Sequence, residues 1–153
     1  LYHIIFFLLI IHMTIKIKNT KNKTLKRKLT NSSRSTIVKT FLEMLNTIKL
    51  YHWSTYSYSQ HIATDELYHS LHKHIDMFVE IMLGKTKDRL KNIVFTTHSA
   101  NSKKTFIKEI VLFKEYLISL NSVMDPVTDS DLYNVRDEIL GTLDKLLYLF
   151  ELN

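Results

Sequence analysis

From residue 35 onward, apolar side chains recur at steps of three and four, the spacing of helices with one buried face. Phe41, Leu45, Ile48 and His52 define a first predicted helix, and Ser54 to Gln60, rich in Ser, Tyr and Thr, is a short connection. A second stretch runs from about His61 to Leu83 on a stripe of Leu67, Leu71, Ile75, Phe78 and Met82. Gly84 then reads as its C-terminal cap. Residues 85 to 103 are polar and irregular, with a short helix predicted near Leu90 to Phe95. Phe106, Ile110, Phe113, Leu117 and Leu120 mark a third helix that stops before Asp125-Pro126. Thr128-x-x-Asp131 reads as a capping box ahead of a fourth, carried by Leu132, Val135, Ile139, Leu143, Leu146 and Phe150. Four amphipathic helices hide their stripes best against one another, so the predicted class is all-α, a four-helix bundle over residues 35–153. The long second connection leaves room for a crossover.

Composition agrees with that picture. The chain has 153 residues with only 2 Gly and 1 Pro, enough for one domain and too few turn formers for a sandwich or barrel. It has no Cys, which excludes disulfides, thiolate zinc sites and a cysteine nucleophile, so any metal is held by nitrogen and oxygen.

Charge divides the chain. Residues 13 to 34 carry Lys16, Lys18, Lys21, Lys23, Lys26, Arg27, Lys28 and Arg34 and no acid, whereas from residue 40 onward 12 basic residues face 15 acidic ones. A run of like charge cannot bury a core, so residues 1–34 are expected to be a disordered basic extension. Its partner would be a polyanion, with DNA held through phosphate neutralisation and without sequence readout. Lys26-Arg27-Lys28 also fits a nuclear address. The apolar run Ile4 to Ile11 is too short to cross a bilayer and lacks the flanks of a signal peptide. The expectation is that residues 1–12 are untranslated, with Met13 the start and a hydrophobic anchor the alternative, and that the protein is cytoplasmic without a membrane partner.

The chemistry concentrates on the second helix. Of the 8 histidines, His52, His61, His69, His72 and His74 fall close together, with carboxylates between them. At about 100° per residue, His61, Asp65, His72, Asp76 and Glu80 share a ridge roughly 100° wide that flanks the apolar stripe. His61/Asp65 and Asp76/Glu80 are each i,i+4 pairs able to grip one ion, but about 16 Å of helix separates them. Two copies of the helix packed antiparallel about a two-fold axis would join the first pair of one subunit to the second pair of the other, twice. His52 would add a second imidazole. Two histidines and three carboxylates suit ferrous iron or manganese, with zinc a third choice.

Those residues carry a resemblance. His52-Trp53, His61-x-x-x-Asp65, Asp76-x-x-x-Glu80 and Leu83-Gly84 resemble the Dps family, the DNA-protecting mini-ferritins of the ferritin superfamily. The likeness is close over roughly residues 45 to 85, and the helix pattern carries it to about residue 152. One departure is the gap of nine between His52 and His61, where the family has about a dozen. The chain is also similar to uncharacterised mini-ferritin-like proteins of large DNA viruses. The resemblance implies a ferritin-like bundle with a long crossover between its second and third helices. It further implies a ferroxidase centre of His52, His61 and Asp65 from one subunit with Asp76 and Glu80 from the next, Trp53 beside it, and two equivalent iron sites per dimer. Oxidation of Fe(II), preferably by hydrogen peroxide, storage inside a dodecameric shell and DNA binding by the lysine-rich extension also come from the family, as does a setting in a nucleoid or a virus-infected cell.

His69, His72 and His74 match no motif position and read as surface or interface residues. Glu66-x-x-His69 has the spacing of larger ferritins but occurs once, where that site needs two copies. Two other readings compete: a catalytically silent helical dimer that binds nucleic acid through its basic extension, and a zinc-dependent structural dimer.

Overall fold

The computed structural model describes residues 29–87 and 89–152. Four α-helices, α1 (Asn31–Ser54), α2 (Tyr58–Thr86), α3 (Lys103–Ser119) and α4 (Ser130–Glu151), account for the fold, and the described residues contain no strand. The apolar run near the start and the basic residues Lys16, Lys18, Lys21, Lys23, Lys26, Arg27 and Lys28 lie outside the described residues.

Several boundaries differ from those the pattern predicts. The first helix starts at Asn31, where Thr30 caps it by accepting a hydrogen bond from the Ser33 amide at 3.1 Å. Its first turn is all polar, so periodicity cannot register it. Arg34, expected in the extension, is buried and donates to the Leu29 carbonyl at 2.9 Å, with Leu29 itself in the core. At the other end of the hairpin, α2 does not stop at Gly84. It continues to Thr86 and closes with Lys87 in the left-handed region at φ 52, its amide reaching the Leu83 carbonyl at 2.9 Å. A glycine inside an exposed turn costs a helix only about 1 kcal/mol, less than neighbouring turns supply. Residues 90–95 form no helix.

The predicted capping box is also absent. Asp131 accepts from its own neighbour, the Leu132 amide, at 2.9 Å, and the cap position falls to Asp129, whose side chain makes no capping bond. The Asp125-Pro126 turn is held instead by Asp125, which accepts from the Val127 and Thr128 amides at 3.0 and 2.9 Å.

Packing follows the stripes. α2 lies against α1 and α4, and α3 lies against the same two helices, so α1 and α4 occupy one diagonal and α2 and α3 the other. Phe41, Phe78, Phe106 and Phe150 are all but fully buried. Each such side chain contributes on the order of 1.5 to 3 kcal/mol through transfer from water. Phe41 meets Phe78 edge to face at 5.2 Å between ring centres, pinning α1 to α2 at mid-height. Tyr51, near the end of α1, stacks on Phe106 in the first turn of α3 at 4.0 Å, and Phe106 lies 5.6 Å from Phe150 near the end of α4. Away from that cluster, Lys85 in the last turn of α2 reaches the Thr128 carbonyl at 2.5 Å, Asp129 at 3.4 Å and Asp131 at 2.7 Å. No helix among the described residues is long and apolar enough to cross a membrane.

Candidate metal centre

The site begins with a tight turn. Only Thr55 to Ser57 separate α1 from α2, and the reversal is fastened by Tyr51, whose buried hydroxyl donates to the Gln60 side-chain carbonyl at 2.6 Å. Ser57 caps α2 by accepting from the Gln60 amide. With so short a connection, His52 in the last turn of α1 and His61 in the first turn of α2 are brought face to face. Their rings stack at 3.8 Å with 23° between planes.

Each of the two imidazoles is held by the other residue's backbone. His52 Nδ1 lies 3.0 Å from the His61 carbonyl, and His61 Nδ1 lies 2.9 Å from the His52 carbonyl. A carbonyl only accepts, so both Nδ1 atoms carry hydrogen, and in the neutral rings both Nε2 atoms keep a lone pair. Thr64, fully buried, donates its hydroxyl to the Gln60 carbonyl at 2.7 Å and offers its oxygen to His52 Nδ1 at 3.3 Å. This is the outer bonding that fixes tautomer and ring orientation in histidines that bind metals.

Asp65 completes the cluster one turn along α2. Its Oδ1 lies 3.7 Å from His52 Nε2, and its Oδ2 lies 3.7 Å from His69 Nε2. The sequence reading missed Lys49, whose ammonium sits 3.3 Å from Asp65 Oδ1 and 4.8 Å from the centre of the Tyr68 ring. The Lys49 hydrogen bond, the largest influence on Asp65, holds its carboxyl below the usual carboxylate range against the opposing effect of burial; the Lys49 charge adds to it, as do His52 and His69 whenever they are protonated. Lys49 is one helical turn before His52, on the same side of α1.

Asp76 and Glu80 are not brought to this cluster. Both project from α2 as exposed residues about 16 Å and more along its axis from Asp65. Among the described residues, one chain assembles no group of three or more His, Asp or Glu side chains able to hold an ion. His52 meets both His61 and Asp65, and Asp76 and Glu80 lie further along α2, away from all three.

Residues 52–150 match the model of a family described as a family of unknown function (DUF5856), a span that covers more than half the chain. The chain belongs to this family. The DUF5856 match takes in all five candidate ligands and none of the basic residues before Leu29. No curated protein and no solved structure matches the chain.

Proposed function

We propose that this DUF5856 member is a mini-ferritin-like ferroxidase, in which His52, His61 and Asp65 of one subunit and Asp76 and Glu80 of its neighbour receive ferrous iron as substrate. The observation that carries the reading is the reciprocal imidazole-to-carbonyl lock, which leaves a lone pair on each Nε2, that of His52 lying 3.7 Å from the Asp65 carboxylate. Imidazole and carboxylate donors without thiolate suit iron. A neighbour's Asp76 and Glu80 supply the remaining oxygens and the negative charge that favours the ferric product.

The overall reaction balances with peroxide. Two ferrous ions each lose one electron, and one hydrogen peroxide takes up both electrons with two protons to give two waters. The chain's own contribution is to bind and orient: the lock keeps both rings in one tautomer, and Asp65 stays available over the neutral range. The ferritin-like crossover belongs to the same reading. It is supported by Tyr51 meeting Phe106 at one end of the bundle while Lys85 meets the start of α4 at the other, so the chain between Lys87 and Ser102 would travel the bundle's length. DNA protection through the basic extension and a larger shell are further parts of the proposal.

Lys49 favours a second reading. An ammonium already seated on Asp65 is a built-in counter-ion, and a helical dimer that holds no metal would keep it there. Anaerobic ferrous titration followed by peroxide separates the two. Under the ferroxidase reading, oxidation is stoichiometric in the parent protein, is lost in Asp76→Ala and Glu80→Ala, and is tighter in iron for Lys49→Met. Iron uptake unchanged by all three substitutions selects the silent dimer.

A further inference from the structure

The ridge on α2 holds two more ligand-type residues than the proposed iron sites use. His61, Asp65, His69, His72, Asp76 and Glu80 follow one another at steps of four, four, three, four and four. The order is symmetric about the point between Ser70 and Leu71. His61 precedes that point by as much as Glu80 follows it, Asp65 matches Asp76 in the same way, and His69 matches His72. The symmetry holds around the helix as well as along it. At about 100° per residue, the mean direction of each matched pair is the same, roughly 50° from His61. A two-fold axis perpendicular to α2, lying between two copies at the level of that point, therefore brings all three matches to the same height at once.

The consequence concerns the centre. The antiparallel register that sets His61 and Asp65 opposite the neighbour's Glu80 and Asp76 also sets His69 opposite the neighbour's His72, and His72 opposite its His69. We infer that two copies of this chain, packed along α2, build a third metal site on the two-fold axis from four imidazoles, one that takes a single divalent transition-metal ion such as zinc or cobalt. This inference rests on the intersubunit reading proposed above.

The side chains are placed for it. His72 is exposed and the His69 side chain is 75% exposed, so a second copy can reach both, His69 by leaving its 3.7 Å contact with Asp65. Residues three apart on a helix have Cβ atoms about 5 to 6 Å apart, close enough for both to reach one ion. Tyr68 lies beside both, with ring centres 6.1 Å from His69 and 6.2 Å from His72, and supplies an apolar wall. Four neutral imidazoles in a tetrahedral array suit zinc and cobalt better than iron, whose proposed sites are rich in oxygen. One chain offers only two of the four nitrogens, so the site is incomplete without the second copy.

Cobalt(II) titration of the full chain, read by the visible bands of tetrahedral nitrogen-bound cobalt and by sedimentation, tests this. The expected result is three ions per dimer in the parent, two in His69→Ala and in His72→Ala with the tetrahedral bands gone, and one, bands retained, in Asp76→Ala. Equal stoichiometry and bands in the parent and both histidine variants overturn the axial site while leaving the iron sites standing. Loss of one ion in His69→Ala with none lost in Asp76→Ala supports the axial site and removes the iron reading. A protein that stays monomeric with and without cobalt overturns both.

Discussion

The two ends of the α2 ridge are built differently. At the α1 end, His52 and His61 are each hydrogen-bonded to the other's backbone, Thr64 steadies one of them, and Asp65 already has a cation beside it. Toward the other end, Asp76 and Glu80 stand exposed on the helix surface. A cluster whose rings are already ordered loses little further freedom on binding an ion, so it suits first capture. Two exposed carboxylates pay that entropy when they close on a ligand, so they suit a partner that arrives with one.

Three perturbations break or sharpen this contrast. The largest effect is expected for Phe41→Ala, because Phe41 is fully buried against Phe78, whose neighbours on α2 include Asp76 and Glu80. A loss of about 3 to 5 kcal/mol in urea unfolding is expected, and the imidazole resonances of His52 and His61 should persist in the folded fraction. Their disappearance would mean that the lock depends on mid-bundle packing. Next comes Thr64→Val, which removes the hydroxyl near His52 Nδ1 without changing side-chain shape. About 1 kcal/mol of stability and roughly 10-fold in metal affinity should be lost. Calorimetry showing no change would leave the two carbonyls as sufficient.

The smallest effect is expected for Lys85→Met, far from the histidines. Slight burial pulls Lys85 down, but bonds and charges from Asp131 and Asp129 outweigh it and lift it above the ordinary lysine value. Burial pushes Asp131 up, and the bonds it accepts from Lys85 and from the Leu132 amide, with the Lys85 charge, bring it below the ordinary carboxylate value. The depressed acid contributes stability above its ordinary pKa that is lost as pH falls through its folded value; the raised base contributes below its ordinary pKa, lost as pH rises through its own. Lys85→Met should therefore cost on the order of 0.5 kcal/mol near neutrality, as for a solvent-screened pair, and less in strong acid, where only the bond to the Thr128 carbonyl remains. Urea midpoints of the two proteins across pH give the comparison, and a gap that does not narrow in acid would assign the effect to that bond and to packing.

Much of this was legible in the chain. The apolar stripes predicted all four helices because every stripe residue from Phe41 to Phe150 had to face inward somewhere. Ends were harder, since they depend on single hydrogen bonds: Thr30 to Ser33, Lys87 to Leu83, Asp125 to Thr128. The spacing of His61/Asp65 and Asp76/Glu80 identified two separate pairs on one ridge. It could not show the lock, because that needs the short turn to fold His52 back over His61. Nor did it suggest Lys49, since a lysine on a helix face ordinarily points to water, and only the proximity of Asp65 and Tyr68 draws this one inward.

Arg34 draws the chain in at Leu29, and α1 then runs 24 residues before reaching the histidine turn. At 1.5 Å per residue this is about 36 Å. The point at which the preceding chain joins the bundle, Leu29, is therefore the pole opposite the imidazoles, and the join itself leaves the His52–His61 turn unshadowed.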